Sequence, residues 1–420
     1  MKKTLISVSV MLAFTLGASG LVQAATEAEK RAAIDNGLTY LAGRQNLDGS
    51  IGANFGTDYL ISQTGSALLA FLDEKPNWGA NAAAYQAVVD NGINYLLSNA
   101  AVVPISLQGT NNPDADGNGV GVKLYPAGTN ARDTYVTGIA LPAIAKSGTP
   151  NALVTVGPLA GRTDGSGAGG AWTYKDVVQN TIDYFAYGQN TDGGWRYYAN
   201  YGASDQSTTQ WPVISSLFAT EMGVSTQPFV KTELAKWTNA IQGVDGSGAY
   251  MIGNDNYGDL NETGALLVMQ DFLGWGTGDA RVQSALNYIN THWQETANGT
   301  WDGNFNHPYA MWAIYKGLEV TLGLDYEGAL LSNLHPDSGD IDNPNHGWNW
   351  WEDYCEWLVT NQNANGSWTG YSSWGADLAT GWYINILAAT KIPDVPEPST
   401  LLLFGTGLLG LARFSRRKKN

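Results

Sequence analysis

Cysteine is almost missing: Cys355 is the only one in 420 residues. That excludes an intrachain disulfide, although it leaves an oxidising compartment open. Bases are scarce too, 22 Lys and Arg against 38 Asp and Glu, for a formal charge of −16. Seven of those bases sit in the two terminal segments: Lys2 and Lys3 at one end, Arg413, Arg416, Arg417, Lys418 and Lys419 at the other. A chain cut after Ala24 and beyond Pro398 loses these seven bases and no acid, so its formal charge goes from −16 to −23. Such a body repels nucleic acid and anionic lipid, and nucleic-acid binding is excluded as a function class. What is plentiful is core material: 44% hydrophobic residues, 16 Trp and 21 Tyr, with 51 Gly between them. That suffices for one large core or two smaller ones.

Both ends read as addresses. Met1-Lys2-Lys3, the apolar run Leu5 to Leu21 and the small-residue site Val22-Gln23-Ala24 form a secretory signal peptide over residues 1–24. Residues 393–420 carry Pro396-Glu397-Pro398, a short hydrophobic helix over Thr400 to Ala412, and the five-base tail. Thirteen apolar positions are short for a full span, yet the basic tail would hold that end at the cytoplasmic face. This tripartite tail resembles the PEP-CTERM sorting signal of Gram-negative bacteria. The resemblance implies export, a membrane stage before processing, cleavage by an exosortase-type peptidase near Pro396, Glu397 and Pro398, and association with exopolysaccharide. Residues 25–392 are left as one domain.

Within that domain a polar corner recurs. It reads QNTDGGW from Gln189, QNLDGSIG from Gln45 and QNANGSW from Gln362, with looser copies from Gln242 and Gln294. An amphipathic helix precedes the corners, with apolar residues at i, i+4 and i+7, as in Val178, Ile182 and Phe185. A more apolar helix follows, often carrying Thr-Gly, as at Gly65, Gly138, Gly264 and Gly381. An amphipathic helix covers an edge, whereas one apolar on most faces is buried. Six such pairs, twelve helices, predict an all-α fold: a closed α/α toroid with second helices inside and first helices outside. Asn and Gly end a helix in the left-handed conformation, and Gln can hold loose backbone groups, so the corner is a clamp between repeats.

At this level the domain resembles the squalene–hopene cyclase and prenyltransferase repeat superfamily, whose QW motif combines Gln, an Asp-Gly or Asn-Gly turn, and Trp. Gln189, Asp192, Gly193 and Trp195 match it, as do Gln362, Asn365, Gly366 and Trp368. The likeness implies fold and not activity. The Asp-x-Asp-Asp proton donor of class II terpene cyclases is missing, as is the Cys-Gly-Glu-Gln string of thioester domains. Asp353-Tyr354-Cys355 copies part of a prenyltransferase zinc site, but no His follows it. Zinc needs about four ligands, so Cys355 reads as core and no metal site is assigned.

Two loops could take calcium, one with Asn112, Asp114, Asp116 and Asn118, the other with Asp337, Asp340, Asp342 and Asn345. Solvated loops have the same composition. No other cofactor is expected. More telling are acids just ahead of the inner helices: Asp58, Asp133, Asp205, Asp259 with Glu262, and Asp377, with His307 in the fifth place. In a toroid these helix starts share one end, giving a mouth ringed by carboxylates. N-capping explains them in part, and Asp259-x-x-Glu262 reads as a capping box. Carboxylates beside aromatic rings also suit sugar binding and glycosidic acid–base chemistry, and many polysaccharide-active enzymes use α/α toroids. If the protein is an enzyme, Asp205, Asp259, Glu262 and His307 are the catalytic candidates. Tyr257, Trp211, Trp312 and Asp133 are the ligand-binding ones. Three functions follow: a non-catalytic surface or matrix protein whose toroid binds a ligand such as extracellular polysaccharide; a polysaccharide hydrolase or lyase; or a degenerate terpenoid-binding relative of the cyclases.

Overall fold

A computed structural model describes residues 25–128, 132–253, 258–297, 301–335 and 349–393. The tail residues Pro396, Glu397 and Pro398, the C-terminal hydrophobic helix, the signal peptide, Tyr257 and the second acidic loop lie outside the described residues. Twelve α-helices follow in chain order. The odd-numbered ones are outer: α1 (Glu27–Ala42), α3 (Ala82–Ser98), α5 (Tyr174–Gly188), α7 (Pro228–Ile241), α9 (Ala280–His292) and α11 (Trp350–Thr360). The even-numbered ones are inner: α2 (Thr57–Asp73), α4 (Asp133–Lys146), α6 (Gln206–Ala219), α8 (Leu260–Phe272), α10 (Pro308–Leu322) and α12 (Ala376–Leu387). The burial follows the sequence pattern. Helix α9 buries only one stripe, Val282, Ala285, Leu286, Tyr288 and Ile289, while α8 buries every residue except Asp271.

The inner helices touch in the circle α2–α4–α6–α8–α10–α12–α2, and α11 meets α1, so the ring is shut. Small residues let the inner rods approach. A Cβ on Gly264 would lie 2.5 Å from the Ala313 backbone, which forces glycine there. The corners act as the sequence implies. Gln189 Nε2 donates to its own turn at Gly193 O (2.8 Å) and to Val230 O (3.1 Å) on the next outer helix. Gln45 bridges to Val88 O and Gln242 to Arg281 O, each at 2.8 Å. Gln362 closes the circle, donating to Gly366 O (3.0 Å) and to Ala33 O (2.8 Å). The Thr of each Thr-Gly pair supplies a second anchor, as where Thr380 Oγ1 accepts from Trp368 N at 3.1 Å and Thr64 Oγ1 from Ile51 N at 2.9 Å; Thr209, followed by Gln210, does the same for Trp195 N at 3.0 Å.

Two departures from the expected pattern stand out. The second unit has no glutamine corner but a hairpin, β1 (Ala101–Pro104) paired antiparallel with β2 (Val120–Lys123). Val102 and Val103 make that stretch β-prone, yet the anchor survives, since Leu124 N donates to Thr137 Oγ1 at 3.0 Å. A second short pair, β3 (Gly248–Ala249) with β4 (Gly258–Asp259), leads into α8. In the fifth unit Trp301 is 61% exposed rather than clamped; Trp293 fills the core there and donates Nε1 to Asp353 Oδ2 at 2.6 Å. Antiparallel pairing puts the inner-helix starts at one end of the toroid and both chain ends of the domain at the other. There Arg31 of α1 pairs with Glu74 at the close of α2, Thr390 Oγ1 donates to Asp73 (2.7 Å), and Ile392 N donates to Glu319 (3.2 Å). Among the described residues no helix is long and apolar enough to cross a membrane.

Candidate functional site

The converging inner-helix starts enclose a cavity of about 520 Å³. Three carboxylates line it, Asp58 from α2 and Asp259 with Glu262 from α8, and aromatic rings form its walls. Tyr309 and Trp374 stack with centroids 4.8 Å apart and planes 19° from parallel. Trp301 meets Trp374 edge-on at 5.4 Å and stands at the rim. Tyr59, Tyr135, Tyr197 and Tyr250 add to the aromatic surface.

Helix α8 explains why its acids face inward. Asp259 is the N-cap, its Oδ1 accepting from Glu262 N at 2.8 Å. The predicted capping box is only half made. The Glu262 side chain does not fold back on the cap, so Oε2 is buried without a hydrogen-bond partner while the residue keeps 3% exposure. Its neighbour Asn261 donates Nδ2 to Trp301 O (2.9 Å) and leaves Oδ1 equally unpartnered. Burial raises both carboxyls well above the usual range; Asp259 further raises Glu262, and Asp205 adds to that effect. A buried carboxyl beside others holds its proton near neutrality, which makes it an acid able to donate.

The structure thus gathers Asp205, Asp259 and Glu262, although Asp205 does not line the cavity. Asp205 caps α6 through Thr208 N (2.7 Å) and faces Arg196 Nε at 3.3 Å. The expected ring of free acids is otherwise interrupted by cations. Asp133 is buried against Lys123 Nζ at 2.6 Å, and Asp377 is held by Arg44 Nε (2.9 Å) and Tyr40 (2.7 Å). Neither touches the cavity. His307 caps α10 through Ala310 N (3.3 Å) under Trp374, with burial drawing its pKa down to about 4, and it too stands outside the lining. Trp211 and Trp312 lie deeper, around a small apolar void that also touches Trp382.

Sequence reasoning missed several contributors. Arg132 and Tyr197 line the rim, the guanidinium 5.3 Å from the ring. Lys316, fully buried beneath the mouth, donates to Gln210 Oε1 at 2.9 Å and sits 4.1 Å over the Trp211 ring. A single Lys on an apolar inner helix was the available signal. Of the first acidic loop, Asp114 and Asp116 come together with buried Asp183, one carboxylate oxygen of each within 4.8 Å of the others. Their oxygens already accept from Gly117 N, Asn118 N, Ala115 N and the Asn180 and Gln179 amides. Asp353 accepts from Trp293 and His335, and Cys355 is fully buried in the core, so the partial zinc motif is not assembled.

Residues 394–418 match the family model of the PEP-CTERM protein-sorting motif. That match implies an exported protein sorted at its C-terminus to the cell surface and processed by exosortase. The body aligns with a family 76 glycoside hydrolase from a bovine Bacteroides thetaiotaomicron strain at TM-score 0.55 and 10% identity, covering 86% of this chain and 77% of that one. A family 76 mannosidase from Bacteroides thetaiotaomicron aligns at TM-score 0.52 and 12% identity, covering 86% and 97%. A type II terpene cyclase from Scytonema aligns at TM-score 0.44 and 12% identity, again covering 86% and 97%. The fold is an α/α toroid. No curated protein matches the chain.

Proposed function

We propose that the toroid mouth binds a polysaccharide chain at the cell surface, after residues 1–24 are removed as a signal peptide and the tail beyond residue 393 is processed. One observation carries this reading: Asn261 and Glu262, each holding a buried oxygen with no protein partner, line an aromatic-walled cavity. An unpaired buried acceptor costs roughly 1–3 kcal/mol, which a ligand hydroxyl or amine would recover. Flat rings such as Trp374 and Tyr309 offer the stacking faces that sugars use. The terpenoid reading has weaker support, because three carboxylates line the space and the apolar void below them is small.

A second reading, glycoside cleavage, is favoured by two neighbouring carboxyls that burial raises, Asp259 and Glu262, with Asp259 raising Glu262 further. Glu262 would supply the proton to the leaving oxygen as its bond to the anomeric carbon breaks, while water attacks that carbon and gives its proton to Asp259 in its ionised form. A glycan array with the purified protein tests the binding reading, and a reducing-end assay on bound glycans tests cleavage. Binding lost in Glu262→Gln supports the site. An array with no positive spot refutes binding, and bound glycan that releases no reducing ends refutes cleavage.

A further inference from the structure

The cavity has an imbalance that a neutral sugar does not correct. Asp58, Asp259 and Glu262 bring three acids to one space. Among the described residues no cation forms an ion pair with any of them: Arg196 faces Asp205, and exposed Arg132 lies over Tyr197. Asp58 has only the Tyr125 hydroxyl at 2.5 Å. The orphan atoms are also of one kind. Glu262 Oε2 and Asn261 Oδ1 are both oxygens, and the guanidinium that does line the cavity, that of Arg132, lies over Tyr197. Around them stand electron-rich ring faces, Tyr135, Tyr309 and Trp374, which attract cations. The domain without its terminal segments carries a formal charge of −23, a field that draws cations and repels uronates.

We infer that the ligand carries an ammonium group: an amino sugar, as in a deacetylated hexosamine polymer, whose nitrogen seats against Glu262, Asn261 and Asp259. An ammonium has three donors and no acceptor, which suits two orphan oxygens beside the Asp259 carboxyl. It also favours the ionised forms of Asp259 and Glu262, which burial otherwise keeps protonated, and a hydroxyl cannot do this. The inference rests on the polysaccharide reading and narrows it to one chemical class.

The test is calorimetric titration of the full chain with a glucosamine hexamer, its fully N-acetylated counterpart and a neutral mannose hexamer. The amine form should bind at least tenfold more tightly than the acetylated one. Glu262→Gln and Asp58→Asn should each reduce that preference at least threefold, while Asp90→Asn on the outer surface should keep it; circular dichroism checks that each is folded. Equal affinity for amine and acetylated forms overturns the inference and leaves polysaccharide binding standing. An amine preference that persists in both cavity variants also overturns it, since the attraction is then that of the whole acidic surface. No binding of any hexamer sinks both readings.

Discussion

Replacing Gly366 with alanine tests how the ring is held shut. Gly366 has φ +86°, and a Cβ there would lie 2.4 Å from the Asn36 carbonyl of α1. The left-handed conformation alone costs alanine about 1–2 kcal/mol. Pushing the corner off α1 adds an overpacking cost of about 1–3 kcal/mol. The displacement also stretches the Gln362 bonds to Ala33 O and Gly366 O, now 2.8 and 3.0 Å. Each such bond contributes about 1 kcal/mol. The combined loss is about 4–7 kcal/mol, a large fraction of the roughly 5–15 kcal/mol that stabilises a domain. Urea unfolding followed by circular dichroism should show a clearly lower midpoint for Gly366→Ala. Gly375→Ala is the control, because a Cβ there meets no atom within 4 Å. A wild-type midpoint for Gly366→Ala would show that the seam does not depend on this corner, and the clamp argument would fail at every unit.

Other outcomes follow from buried charge. Burial raises Asp183 to about 8, so the stability it contributes is complete near pH 4 and is lost as pH rises through 8; melting temperatures should fall from pH 5 to 9, and fall less in Asp183→Asn. Burial holds Lys316 well below its ordinary 10.5, so the unfolded chain binds the extra proton and stability rises with pH toward 10; Lys316→Met should flatten that rise in the same melting series. Lys123→Met leaves Asp133 buried without its cation and should cost about 3–5 kcal/mol in denaturant unfolding, with Asp133→Asn in the same chain restoring part of it.

The toroid was legible because its signals are local and repeated. Helix period, Thr-Gly pairs and glutamine corners each recur, and each maps to a bond now seen, such as Thr380 to Trp368. Helix α7 was hidden within the inferred sixfold count, since its stripe Val230, Leu234, Trp237 and Ile241 follows a proline start. The site was less legible. Asp205, Asp259 and Asp133 look alike in sequence, each just ahead of or at the start of an apolar helix. What separates them is a partner far along the chain or in another element: Arg196 for the first, Lys123 for the last, none for Asp259. Trp301, which ends the loose corner from Gln294, stays exposed because Trp293 occupies the core position.

The arrangement of helix ends also sets an orientation. Ala25 and Ile392 lie at the base of the barrel, Ile392 against Glu319 near the close of α10, and the acid-lined opening is at the far rim. Whatever grips the polypeptide beyond residue 393 therefore holds it by its underside, like a cup fixed to a wall by its foot, with the bowl turned outward to the medium. Joining the two ends through a short linker and cutting elsewhere should yield a reordered chain with the same bowl.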